Sequence, residues 1–262
     1  MSSKLQGYET REYALFGETR EVFLRGEGPA VVILSEVPGI TPEVSHFADR
    51  VAEAGFRVYM PQLFGVPGKP LSKPYAARTM ARACISREFR VLAANASSPV
   101  VDWLRALARE AHTECGGPGV GVVGMCLTGN FGLAMMLDAP VIAPVLSQPS
   151  LPVGPLRKQR SALHASDKEI AAAHEKIEHH NAAILGLRFK QDPLCPAERF
   201  DRLREEFADA FEGIEIDPRH ARKDTGTWAH SVLTTHLIDE EGEPTRDALD
   251  RTLEFLDQRL KP

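Results

Sequence analysis

Apolar and polar positions alternate along TREVFLR, Thr19 to Arg25, with the period of two that predicts an edge strand. AVVIL, Ala30 to Leu34, is instead a continuous apolar run of the kind buried on both faces of a parallel sheet. After the turn VPGITP, Val37 to Pro42, the stretch EVSHFADRVAEAG sets Val44, Phe47, Val51 and Ala54 at helical spacing, and Gly55 ends that helix. FRVYM, Phe56 to Met60, reads as a strand stopped by Pro61 and completes a strand-helix-strand unit. Helical stretches follow around residues 76 to 94 and 100 to 112, then a strand at 120 to 124 and a helix at 129 to 137. VIAPVL, Val141 to Leu146, is a further short strand with an internal proline. A strand at 183 to 189, a helix at 196 to 207, a strand at 212 to 217 and a helix at 247 to 260 close the chain. Short strands alternating with helices predict an α/β fold whose mostly parallel, doubly wound sheet is covered by helices on both faces.

Two stretches break the alternation. Residues 61 to 78 are rich in proline and glycine, as an active-site loop or a surface excursion would be. Residues 150 to 182 carry a Pro/Arg/Lys-rich loop and a polar helix, Ser166 to Ile177, and either cap the site or form a surface excursion. No internal repeat interrupts the reading, and 262 residues fit one large α/β domain spanning 1–262 better than two.

Composition narrows the partners. With 31 basic against 36 acidic residues the formal net charge is -5 and no basic run tracks a phosphate backbone, which argues against nucleic acid. No apolar run reaches the roughly 18 residues that span a bilayer, and MSSKLQGYETR lacks the apolar core of a secretory signal, so no membrane partner and a cytoplasmic location are expected. Cys84, Cys115, Cys126 and Cys195 lack CxxC spacing, so neither a disulfide framework nor a zinc site is suggested. His174, His179 and His180 lie on a charged helix without a Cys/His frame and read as solvated rather than metal-binding.

The candidate chemistry sits in GMCLTG, Gly124 to Gly129, between a strand and a helix. Glycine two positions before Cys126 keeps a Cβ out of a sharp bend that would lift the sulfur above the carboxyl edge of the sheet. A helix starting there would favour thiolate and developing oxyanion alike, with the Leu127 N–H as the natural donor. A buried structural cysteine is the competing reading. A thiol attacking an acyl carbon needs a base, and the base an orienting group. Asp192 follows one strand directly, and His230 lies in a loop after the next, giving the chain order nucleophile, acid, histidine expected on successive loops at one sheet edge. Alone, each would read as a loop carboxylate and a helix-start histidine. Glu36 opens at the same edge after Ala30 to Leu34, where it is either a site carboxylate or an ordinary loop residue, and Val37 offers a second backbone N–H.

Over nearly its whole length the chain resembles the dienelactone hydrolase family of α/β-hydrolases. The resemblance rests on ILSEVPG (Ile33 to Gly39), HFADRVAEAG (His46 to Gly55), LFG (Leu63 to Gly65), VVGMCLTG (Val122 to Gly129), GLRFKQDP (Gly186 to Pro193) and AHSV (Ala229 to Val232). It implies an α/β-hydrolase fold, with Cys126 as nucleophile, Asp192 as acid, His230 as histidine, Glu36 holding the resting thiol, and the backbone of Leu127 and Val37 as oxyanion donors. The implied activity is hydrolysis of a small-molecule carboxylic ester or lactone through a thioester, with no cofactor and no metal. Two departures qualify it. Family members that open dienelactone carry an arginine four positions after the histidine, where this chain has Thr234; Arg87 is the candidate to grip a substrate carboxylate instead. The family usually has glycine two positions after the nucleophile, where this chain has Thr128, whose β-branch would crowd the turn. These departures keep open a small-molecule binder that has lost turnover, and an activated cysteine also admits a redox or electrophile sensor. Sequence leaves monomer and homodimer open.

Overall fold

The alternating runs condense into one eight-stranded sheet in the computed structural model, which describes residues 5–85, 98–150 and 156–261. The strands are β1 (Glu9–Leu15), β2 (Glu18–Arg25), β3 (Ala30–Leu34), β4 (Arg57–Pro61), β5 (Val120–Met125), β6 (Val141–Ser147), β7 (Ile184–Phe189) and β8 (Phe211–Ile216). They lie in the order β1-β2-β4-β3-β5-β6-β7-β8. The first two pairings, β1 with β2 and β2 with β4, are antiparallel, and every later one is parallel. In the registers Leu34 pairs with Gly124 and Phe189 with Ile216, so the carboxyl ends of β3, β5, β7 and β8 open toward one edge. Every residue of β3, β5, β6 and β7 is buried, as continuous apolar runs covered on both faces require.

Helices α1 (Pro42–Glu53), α2 (Lys73–Ile85), α3 (Pro99–Cys115), α4 (Phe131–Ala134), α5 (Arg157–Arg160), α6 (Asp167–His179), α7 (Ala197–Phe207) and α8 (Pro244–Leu260) flank the sheet. The start of α1 is set by Thr41, whose side chain accepts from the Val44 N–H, with Pro42 in the first turn. Its end is set by Gly55 at φ +85, a left-handed position that glycine takes without strain. Val44, Phe47, Ala48 and Val51 bury the inner face of α1.

Two expectations change, and two prolines lie within strands. TREVFLR is not an edge strand: β1 pairs along its whole length. That strand has only Tyr13 buried, so its sequence lacks an alternating apolar signal. β4 does end at Pro61, as its sequence predicts, with the proline as its last residue opposite Val22. Pro144 lies in a central strand, opposite Val122, next to an irregularity in register at Val120/Gly121. The helix expected at 129 to 137 shrinks to a 3-10 turn at Cys126–Thr128 and the four residues of α4. Close packing fixes this break, since a Cβ on Gly129 would lie 2.7 Å from Pro149 Cα and one on Gly132 2.8 Å from Leu146 Cδ2. A four-residue helix has little dipole, so any electrostatic support for the cysteine comes from individual amides.

The described part of the 150-to-182 stretch, residues 156–182, is tied to the neighbouring helices. Ser166 and Glu169 form a capping box at the start of α6. Glu169 also accepts from Arg105 Nη2 of α3 at 2.5 Å in a buried ion pair. Arg105 donates in addition to the Ala134 carbonyl at the end of α4, which ties three helices together.

Candidate active site

Cys126 stands at the carboxyl end of β5 with φ 55, a left-handed backbone that a non-glycine residue holds only when its surroundings fix it, at a cost of order 1–3 kcal/mol. The fixing contacts are specific. A Cβ on Gly124 would lie 2.3 Å from the Thr128 carbonyl oxygen, so only glycine lets the turn fold back on the strand. The Cys126 carbonyl accepts from Gly129 N at 3.0 Å and Ser150 N at 2.9 Å. Thr128 does not crowd the bend. Its fully buried hydroxyl accepts from Met125 N at 3.0 Å and can donate to the carbonyl of Met125 at 2.9 Å, or across to Leu34 at 2.9 Å at the end of β3. The β-branched residue thus pins the Cys126 turn to the end of β3, just before Glu36 and Val37.

The loops after β7 and β8 bring Asp192 and His230 together. Asp192 is buried, accepts from Leu194 N at 3.0 Å through Oδ1, and bonds His230 Nδ1 at 2.7 Å through Oδ2. His230 Nε2 is buried without a hydrogen-bond partner, and the ring's electrostatic neighbour on that side is Cys126. Burial disfavours the charged ring, but its interactions with Cys126 and with the Asp192 carboxylate outweigh that and raise His230 well above its ordinary value. Cys126 and His230 thus share one cavity, with Asp192 bonded to the far side of the ring.

Glu36 is buried at the same edge, with its hydrogen bonds directed to other partners than the sulfur. Oε2 accepts from Ser231 Oγ at 2.5 Å and from Gln148 Nε2 at 3.4 Å, and Oε1 accepts from Thr234 Oγ1. Thr234, standing where an arginine was the alternative, thus binds Glu36. Gln148 also accepts from Val232 N at 3.3 Å.

A cavity of about 270 Å³ joins these groups. Cys126, His230, Glu36 and Val37 line its chemical end together with the polar side chains of Thr41, Thr227, Ser231, Thr235 and His236, and Leu71, Ala76, Ala77, Met80, Leu194 and Trp228 supply most of its apolar lining. None of the described residues in 156–182 lines it. Arg87, expected at the substrate end, lies outside the described residues. Among the described residues no group of three His, Cys, Asp or Glu side chains is placed to hold a metal ion, and no helix is long and apolar enough to cross a membrane. His174 bonds Glu206 at 2.9 Å on the surface.

Sequence reasoning missed His236, Ser231 and Gln148. His236 Nδ1 accepts from Ser231 N at 3.1 Å and His230 N at 3.4 Å, while Nε2 reaches Thr225 and Thr227 at 3.1 and 3.2 Å. Burial, then the nearby His230 charge, lower its pKa to about 4, so the ring stays neutral and acts as an acceptor. The only available signal was its place six residues after His230 in a polar loop.

Comparison with known proteins gives a consistent picture. The model of the dienelactone hydrolase family matches residues 18–260. A solved structure from Klebsiella pneumoniae subsp. pneumoniae MGH 78578, provisionally described as a dienelactone hydrolase, superposes with a TM-score of 0.64 at 17% identity, over 96% of this chain and 98% of the other. A dienelactone hydrolase-like promiscuous phosphotriesterase from metagenomic libraries gives a TM-score of 0.63 at 15% identity, over 97% and 98% of the two chains. The dienelactone hydrolase of Anabaena variabilis ATCC 29413 gives 0.58 at 15% identity, over 97% and 98%. At these identities the likeness is one of fold. No curated protein matches the chain.

Proposed function

Because the chain belongs to the dienelactone hydrolase family of α/β-hydrolases, we propose that it hydrolyses a carboxylic ester or lactone through a thioester on Cys126. The observation that carries this reading is the His230 ring, bonded to Asp192 through Nδ1 at 2.7 Å while its buried Nε2 lies free on the Cys126 side. Asp192 fixes the ring orientation and favours its protonated form. The sulfur attacks the acyl carbon, and the developing oxyanion is received by the Leu127 and Val37 amides. The alkoxide leaves with a proton from His230, forming the thioester. Water then gives a proton to His230 and attacks the thioester, and the acid departs as the thiol regains its proton. No step calls for a metal or organic cofactor.

Glu36 supports the site in this reading by holding Ser231 and Thr234, and hence the histidine loop, against the end of β3. Residues 1–262 act as one catalytic domain, with 150–182 as a flanking excursion. A reducing, cytoplasmic setting suits a protein with Cys115, Cys126 and Cys195 as free thiols. Steady-state hydrolysis of activated aryl esters and small lactones tests the proposal. Cys126→Ala abolishes turnover, and Asp192→Asn lowers kcat by about 10³–10⁴-fold through the wrong ring tautomer. Turnover by Cys126→Ala at the wild-type rate overturns it.

A further inference from the structure

We infer that the acyl pocket takes short, neutral, apolar acyl groups and discriminates against acyl groups that carry a carboxylate. This inference rests on the hydrolase reading and names its substrate class. The wall facing the sulfur is built by Leu71, Ala76, Ala77, Met80 and Leu194, with Trp228, 56% exposed, at the rim. The described lining contains no Lys or Arg. Its volume of about 270 Å³ falls just below the 300–1,000 Å³ usual for sites that enclose drug-sized ligands, which suits a short acyl chain.

His230 is the one cationic group of the described lining and is paired with Asp192, so Glu36 adds a negative charge to the pocket that no described cation faces directly. Its carboxylate lines the cavity, and its described donors, Ser231, Thr234 and Gln148, are all uncharged. Neutral donors satisfy the lone pairs of a carboxylate but leave its charge uncancelled. An incoming carboxylate meets that charge at short range in a partly desolvated site, where repulsion is stronger than in water. Thr234 cannot receive the newcomer, because its hydroxyl donates to Glu36. An alkyl chain on the same acyl carbon can lie against the apolar residues of the lining and gains by leaving water.

The test compares 4-nitrophenyl hexanoate with mono(4-nitrophenyl) adipate, which have the same acyl chain length and differ in a terminal methyl or carboxylate. Turnover is measured with the wild type, and equilibrium binding of the intact esters with Cys126→Ala. The expected result is a preference for the hexanoate of at least about tenfold in both kcat/KM and Kd at low ionic strength, narrowing as salt screens the repulsion. Ala77→Lys, which adds a cation to the wall, should narrow or invert the ratio. Equal or tighter binding of the adipate, or no binding of either ester to Cys126→Ala, overturns the inference. If the wild type turns over neither ester, the hydrolase reading falls, while the binding ratio still decides the chemistry of the pocket.

Discussion

Replacing Thr128 with valine removes one hydroxyl while nearly conserving volume, and so isolates the link between the nucleophile turn and β3. The hydroxyl sits at full burial, 3.0 Å from Met125 N and 2.9 Å from the carbonyls of Leu34 and Met125. A hydroxyl has one proton, so two hydrogen bonds at a time are lost, one accepted and one donated. Each lost bond costs about 0.5–1.5 kcal/mol net, so Thr128→Val should lower stability by about 1–3 kcal/mol, or roughly 2–6 °C in Tm. The kinetic effect has a separate origin. Thr128 joins the turn bearing Leu127 to the strand end just before Val37, and removing a whole oxyanion donor typically costs about 10²–10³-fold in kcat. Loosening the spacing of two donors should cost less, about tenfold in kcat, with KM nearly unchanged. Urea unfolding measures the first quantity, and steady-state ester hydrolysis under conditions where both proteins are fully folded measures the second. Thr128→Ser keeps the hydroxyl and should restore kcat. A valine variant with wild-type kcat would refute the coupling, as would a serine variant that fails like valine.

Three further outcomes follow from the same geometry. His230 should titrate above its ordinary 6.5 in a histidine NMR titration and fall in Cys126→Ala, which removes one raising interaction; an unchanged value would mean that the thiol does not face the ring. As a raised group it adds stability that is full below the unfolded value and is lost as pH rises through the folded one. His236, depressed to about 4, has the opposite sign: its contribution is full above pH 6.5 and falls by about 3 kcal/mol as pH drops toward 4, so denaturant midpoints of His236→Gln should show a flatter slope over that window. Gly124→Ala puts a Cβ 2.3 Å from the Thr128 carbonyl oxygen and should cost at least about 1–3 kcal/mol in urea unfolding together with most of the activity; a stable, fully active variant would contradict the described turn.

Most of the parallel half of the sheet was readable because β3, β5 and β6 are continuous apolar runs, and Glu36 and Cys126 stood out because each follows such a run, whereas His230 lies 14 residues beyond the mixed strand β8. Ala30 to Leu34 and Val120 to Gly124 reappear as strands almost residue for residue. β1 was silent because a polar outermost strand buries only Tyr13. The helix after Cys126 was overread because Phe131, Leu133 and Ala134 look helical locally, whereas the close approach of Pro149 to Gly129 is tertiary. The same limit hid His236 and Gln148, whose roles come from partners 5 to 112 residues away. Thr128 looked like an obstacle because a β-branch beside a tight turn is read as bulk. Folded, its hydroxyl meets three backbone groups that sequence does not place beside it.

The central claim is covalent catalysis by Cys126, and intact mass after rapid quenching of an aryl ester reaction tests it most directly. The account predicts an acyl adduct on the wild type that forms within the burst, decays with turnover, maps to Cys126, and accumulates in His230→Gln if any forms. A wild type that turns over substrate with no adduct, or an adduct of equal yield on Cys126→Ala, would contradict it.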